Sequence, residues 1–205
     1  MKQLNLDPTN IKYLVFGHNH FDHTGEGAYI QRLTGAKAIM HRDDWEIYFK
    51  STGGGRSGAA NDTPVRKMER DIDATDGMKI TVGDVTGTIL TMTGHTPGSI
   101  GMVVPVKYQG REHPILLVTA GTDVNTRGDF IGGYEHIWDE AIKMKVENVM
   151  QSHPNTNMNL LARTKYVNDH YPPPKNPLLY GTRRTERYIN IMRNCTLARM
   201  DVLGW

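Results

Sequence analysis

His18, His20, Asp22 and His23 lie in the string Val15-Phe16-Gly17-His18-Asn19-His20-Phe21-Asp22-His23-Thr24-Gly25, a H-x-H-x-D-H spacing with four metal-ligating side chains in six residues. Zinc accepts imidazole nitrogen and carboxylate oxygen at about 2.0–2.2 Å, so one short loop of this kind can supply most of two neighbouring metal sites. Packing gives no reason for the cluster, and His and Asp at these offsets match ligand chemistry better than turn chemistry. The preceding run Ile11-Lys12-Tyr13-Leu14-Val15-Phe16 reads as a buried strand, which places the ligands where the chain leaves a sheet. In extended chain His18 and His20 point the same way, and a turn at Phe21-Asp22-His23 then swings Asp22 and His23 toward a second metal.

Two further histidines sit where strands end. His95 lies in Thr93-Gly94-His95-Thr96-Pro97-Gly98-Ser99, whose glycines and proline fit a tight loop, and Pro154 stops the strand that feeds Gln151-Ser152-His153. The other four of the nine histidines read as structural. His41 precedes a helix entry at Arg42-Asp43-Asp44-Trp45, His113 sits beside a hairpin turn, and His136 and His170 stand in helical or helix-end context.

Taken together and in this order, the strings resemble the metallo-β-lactamase superfamily over essentially the whole chain. The resemblance implies that His95 completes a first metal set with His18 and His20, and that His153 joins Asp22 and His23 at a second. A second site built with His23 and without cysteine most resembles the third subclass of metallo-β-lactamases and its lactamase-like relatives, as does Asn176-Pro177-Leu178-Leu179-Tyr180 leading into a long terminal helix. It also implies the fold class, an α/β metallo-β-lactamase-like αβ/βα sandwich, with two zinc ions per chain as cofactors. Two departures stand out. Family members place two or three strands of the first sheet ahead of the histidine motif, which here begins at residue 18, so the expectation is a domain without those amino-terminal strands. Many members also carry a bridging carboxylate after a later strand. Here Pro114–Ala120 is followed by Gly121-Thr122-Asp123, with Thr122 at the family's position and Asp123 a candidate one residue on, where a strand would face the other way.

Composition suits one domain over residues 1–205, since a chain of that length with 38% hydrophobic residues can bury a sizeable core. A net charge of +2 with dispersed basic residues gives no nucleic-acid footprint, and Arg183, Arg184 and Arg187 fit a solvated helix face. No run approaches the roughly 18 apolar residues of a membrane span, and the first residues are too polar for a signal peptide. Cys195 is the only cysteine, which excludes an intrachain disulfide; the spacing of Tyr188, Ile191, Met192, Cys195 and Ala198 places its thiol on a buried helix face.

Apolar patterning predicts strands at Ala36–Met40, Met78–Val82, Thr86–Met92, Ile100–Val106, Pro114–Ala120 and Val146–Met150. It predicts helices at Glu26–Leu33, Asp43–Lys50, Tyr134–Lys145, Asn157–Asn168 and Thr182–Leu203. Tyr108-Gln109-Gly110-Arg111 reads as a hairpin connection, so antiparallel pairing should dominate the second sheet. The glycine-rich stretch 51–58 reads as a mobile surface loop and not a phosphate cradle, and the proline-rich stretch 171–177 as a stiff connector.

The chemistry expected of a zinc pair is hydrolysis. The pair would lower the pKa of a shared water from about 15.7 to near 7, giving hydroxide that attacks a carbonyl carbon. Asp22, the candidate catalytic residue, would orient that nucleophile and relay its proton. The expected substrate is a small molecule with a cyclic amide or ester, of β-lactam or lactone type, and Asn155, Thr156 and Asn157 are candidate hydrogen-bonding residues for it. The alternatives are a thioester hydrolase of glyoxalase type, an iron-bearing redox member of the fold, or a catalytically silent fragment or binding module that self-associates through an exposed sheet edge.

Overall fold

The computed structural model describes residues 1, 5–51, 66–119, 128, 130–153, 160–171, 173 and 175–204. Its first sheet has three strands in the order β1 (Tyr13–Val15), β2 (Lys37–His41) and β3 (Ile72–Ala74), all parallel. Parallel neighbours need crossover connections. Between β1 and β2 these are a single turn of helix, α1 (Phe21–Thr24), and α2 (Gly27–Thr34); α3 (Arg42–Lys50) follows β2 directly. The second sheet runs in the order β4 (Lys79–Val82), β5 (Val85–Thr91), β6 (Ile100–Tyr108), β7 (Arg111–Val118) and β8 (Asn148–Gln151). The pairs from β4 to β7 are antiparallel, as expected, and β8 adds in parallel to β7 after crossing over through α4 (His136–Lys143). Gln109 and Gly110 at the β6–β7 hairpin both have positive φ, 49° and 74°, as a tight two-residue connection between twisted strands requires. Two helices follow β8, α5 (Leu160–Asp169) and the 22-residue α6 (Thr182–Leu203).

Strand alternation sorts the apolar side chains into three layers. On β2, Ala38 and Met40 turn outward to Ala28 of α2 and to Trp45 and Tyr48 of α3, while Ile39 turns inward. There it meets Ala74, Ile80, Ile89 and Ile100, which fill the space between the sheets. On the far side Leu90, Val103, Leu116, Val118 and Val149 of the second sheet pack under Ile137, Trp138 and Ala141 of α4 and Ile189 and Met200 of α6. The order helix, sheet, sheet, helix is the αβ/βα sandwich anticipated above. Among the described residues, no helix is long and apolar enough to cross a membrane.

Three expectations change. β1 is shorter and less buried than its apolar run suggested, with Val15 37% exposed, because among the described residues it forms an edge of its sheet with only β2 beside it. β3 has three residues, too few to show a period, and was not anticipated. Cys195 is exposed, as is Ile191. The buried stripe of α6 instead runs through Thr185, Ile189, Thr196 and Met200, because two of its members are threonines whose hydroxyls bond back to the carbonyls of Gly181 and Met192. The predicted helix start at Asn157, and residues 52–58 of the glycine-rich stretch, lie outside the described residues.

Leu116 is fully buried between β7 and the α4–α6 layer. Leu116→Ala should lower the unfolding free energy by about 2–5 kcal/mol, read as a fall in urea midpoint at unchanged slope. A loss under about 1 kcal/mol would count against this packing.

Candidate metal centre

The centre forms where three chain segments leave the two sheets on the same side. After β1 the backbone bends through Gly17, His18 and Asn19, and His20 opens α1, whose single turn carries Asp22 and His23. His95 stands in the connection from β5 to β6, and His153 follows β8. A main-chain bond across the sheets, Ile100 N–H to the Gly17 carbonyl at 2.8 Å, ties the first segment to the second sheet one residue before His18. Gly17 is required there, because a β-carbon would fall inside the Thr119 side chain. That side chain places its Oγ1 3.4 Å from His18 Nδ1.

The six side chains fall into two groups of three. His18, His20 and His95 form one and Asp22, His23 and His153 the other, with potential ligand atoms in each group within 4.8 Å of one another. In the first, ring centroids are 4.6–4.7 Å apart and meet edge to face, and His95 Nε2 lies 3.1 Å from His20 Nδ1. Two nitrogens on one tetrahedral zinc at about 2.0–2.1 Å would be roughly 3.3 Å apart, so that separation suits a shared cation. In the second group Asp22 Oδ2 stands 3.4 Å from His23 Nε2 and 3.5 Å from His153 Nε2. The groups adjoin, since the rings of His18 and His23 are 4.1 Å apart. His41 instead caps α3, accepting from Asp43 N–H at 3.3 Å, His113 pairs with Glu147 at 2.8 Å and His136 with Asp76 at 2.9 Å.

Burial is graded across the cluster. His18 is 1% exposed, whereas His20, Asp22 and His153 are open to solvent. His18 Nε2 and His23 Nε2 are buried without a hydrogen-bond partner among the described residues. A buried polar nitrogen left in that state costs about 1–3 kcal/mol, and a divalent cation is one group that takes its lone pair. Burial first, and then the neighbouring His23, His95, His20 and His153, push the His18 pKa down to about 2. Burial also lowers that of His23, against the opposing pull of Asp22. Both rings are thus neutral near pH 7, the form that binds metal. The donor chemistry, the adjacency and the protonation all fit metal ions.

The sequence-based candidates His18, His20, Asp22, His23, His95 and His153 are therefore all brought together. Thr122, Asp123, Asn155, Thr156 and Asn157 lie outside the described residues. Asp44, read from sequence as part of a helix entry, contacts both loops that carry the first group. Its only sequence signal was a carboxylate in the first turn of a helix, which is common for other reasons.

Residues 1–107 match the profile of the Metallo-beta-lactamase superfamily, and the chain belongs to that family. Its curated relatives include the N-acyl homoserine lactonases AttM of Agrobacterium fabrum and of Azorhizobium caulinodans. They are each 35% identical, over 120 and 121 residues, in alignments that take in 57% of this chain and 43% of the relative. The match to these relatives thus spans less than half of their length. Among solved structures, the subclass B3 metallo-beta-lactamase BJP-1 of Bradyrhizobium japonicum superposes with a TM-score of 0.71 at 21% identity, over 100% of this chain and 79% of that one. Native FEZ-1 metallo-beta-lactamase from Legionella gormanii gives 0.73 at 20% identity, over 97% and 78%. At these identities the likeness establishes the fold.

The His18 shift sets a pH dependence for the metal-stripped protein. Between about pH 2 and the ordinary histidine value of 6.5 the unfolded chain binds a proton at this imidazole that the folded chain does not. Stability should therefore rise with pH through that window and level off above it, with His23 acting in the same direction. Urea unfolding of chelator-treated protein from about pH 5 to about pH 8 should show the rise, and His18→Asn should flatten it. An unchanged slope in the variant would contradict the assignment.

Proposed function

We propose that this chain is a metallohydrolase that holds two zinc ions, one on His18, His20 and His95 and one on Asp22, His23 and His153, and that it opens a cyclic ester or amide. The observation that carries the proposal is the 4.1 Å contact between the His18 and His23 rings. It sets two three-ligand groups side by side, and hydrolytic metal pairs lie about 3.5–4 Å apart. Bound there, the cations would supply Lewis acidity and acidify a water for attack on a carbonyl.

The chain's own residues divide the remaining work. His18 and His23, neutral and partly withdrawn from solvent, offer lone pairs without first losing a proton near pH 7. Asp22 has a side chain 58% exposed and stands on the open side, where a carbonyl substrate can approach. Its carboxylate can orient the attacking water, hold the proton released and return it to the leaving alkoxide or amide nitrogen. A lactone is the first substrate class to examine, because the curated relatives at 35% identity are named lactonases, and β-lactams come second.

Elemental analysis of the purified chain should find about two zinc ions, and lactone opening should follow as acid release that a chelator abolishes. Asp22→Ala should lose one ion and lower turnover by about a hundredfold or more. A folded, metal-free preparation that takes up no zinc on titration would end the proposal.

A further inference from the structure

Asp44 is fully buried and has no cationic partner among the described ion pairs. Its carboxylate is met by three donors instead. Oδ2 accepts the Asn19 N–H at 2.9 Å and the Thr96 hydroxyl at 2.7 Å, and Oδ1 accepts the Gly98 N–H at 2.9 Å. Asn19 lies between His18 and His20, and Thr96 and Gly98 follow His95 closely. One carboxylate therefore grips both segments that deliver the first three imidazoles, one segment from each sheet.

The surroundings are built for this grip. Asp44 stands in the first turn of α3, behind the His41 cap, where the helix dipole favours a negative charge. The helix is fixed in turn by fully buried Trp45, whose indole N–H donates to the Ile72 carbonyl at 3.2 Å. On the other side Ser99, also fully buried, accepts the Thr96 N–H at 3.0 Å and lies 2.7 Å from the Thr96 hydroxyl. With Ser99 O–H donating to Thr96 and Thr96 O–H donating to Asp44, both hydroxyl protons of this relay have an acceptor. Gly98 must be glycine, since a β-carbon there would come 2.8 Å from Asp44 Oδ1 and 2.9 Å from the Asp44 nitrogen.

We infer that Asp44 is the positioning residue of the first metal group: by holding the Asn19 and Thr96–Gly98 backbones on one carboxylate, it fixes His18 and His20 against His95 in a metal-binding arrangement. The inference rests on the reading of those histidines as ligands. Rings held at 4.6–4.7 Å with a nitrogen pair at 3.1 Å need their loops fixed to a few tenths of an ångström, and neither loop lies within a strand or helix. Replacing one carboxylate oxygen by an amide NH2 sets a donor against either the Asn19 N–H or the Gly98 N–H, so one loop loses its anchor and its register against the other.

The test is stepwise titration of the metal-stripped full chain with cobalt(II), read by its visible absorption, and with zinc by competition with a chromophoric chelator. Asp44→Asn should weaken one of two binding steps by about 10–100-fold, the range typical of outer partners of metal ligands, and reduce the cobalt absorption of that step. The second step should change by less than about threefold. Thr96→Val keeps the carboxylate and side-chain shape but removes one donor, and should give a smaller loss in the same step that Thr96→Ser restores. Should Asp44→Asn not fold, Thr96→Val and its serine rescue decide the matter. Unaltered affinities and spectra in the folded variants would overturn the role of Asp44, whereas a parent chain that binds neither ion would overturn the ligand reading itself.

Discussion

Imidazoles do not gather unaided. Neutral rings gain little from edge contact, protonated ones repel, and each buried nitrogen loses a water. Five of them nonetheless converge here with one carboxylate, so the surrounding chain must supply the restraint. It does so with directional bonds more than apolar contact: the Gly17 carbonyl to Ile100 across the sheets, and the Asp44 carboxylate to both loops that carry the first three imidazoles. The apolar layers hold the sheets at a fixed separation, and these few polar contacts set where the ends of the strands point.

The layered core and the centre divide the chain differently. Ile39 of the first sheet packs against Ile89 and Ile100 of the second without leaving its own layer, whereas each of the two three-residue groups takes members from both sheets. His18 and His20 follow the first sheet and His95 the second, and Asp22 and His23 meet His153 from beyond β8. Any sliding of one sheet over the other would spoil both groups together. The open side, with Asp22 and His153 exposed, then leaves reagents a path to the buried side without opening the core.

Much of this was legible in the sequence, for identifiable reasons. Six candidate ligand residues, with glycines and prolines around the later two, gave a strong local pattern, and long apolar runs such as Ile100–Val106 declared themselves as strands. What was hidden had no local period. β3 is three residues long, and its place beside β2 is decided by tertiary pairing. The buried face of α6 includes Thr185 and Thr196, whose hydroxyls are satisfied by their own helix, so a hydrophobic count favoured the stripe containing Cys195. Asp44 was invisible because its partners, two backbone N–H groups and one hydroxyl, lie 25, 54 and 52 residues away, and nothing in Arg42-Asp43-Asp44 distinguishes a clamp from an ordinary helix start.

The distribution of the six candidate ligands along the chain also bears on the order of assembly. His18 to His95 spans 77 residues and His23 to His153 spans 130, from the positions 95 − 18 and 153 − 23. Closing the longer loop costs only a fraction of a kcal/mol more in chain entropy, roughly 0.5 by the logarithmic law, so at equilibrium the two groups are nearly matched on that score. During synthesis they are not matched at all. The first group is complete once the β5–β6 connection has emerged, while the second waits for β6, β7, α4 and β8. A nascent chain would therefore present a three-imidazole trap well before it could close a neighbouring site that includes a carboxylate.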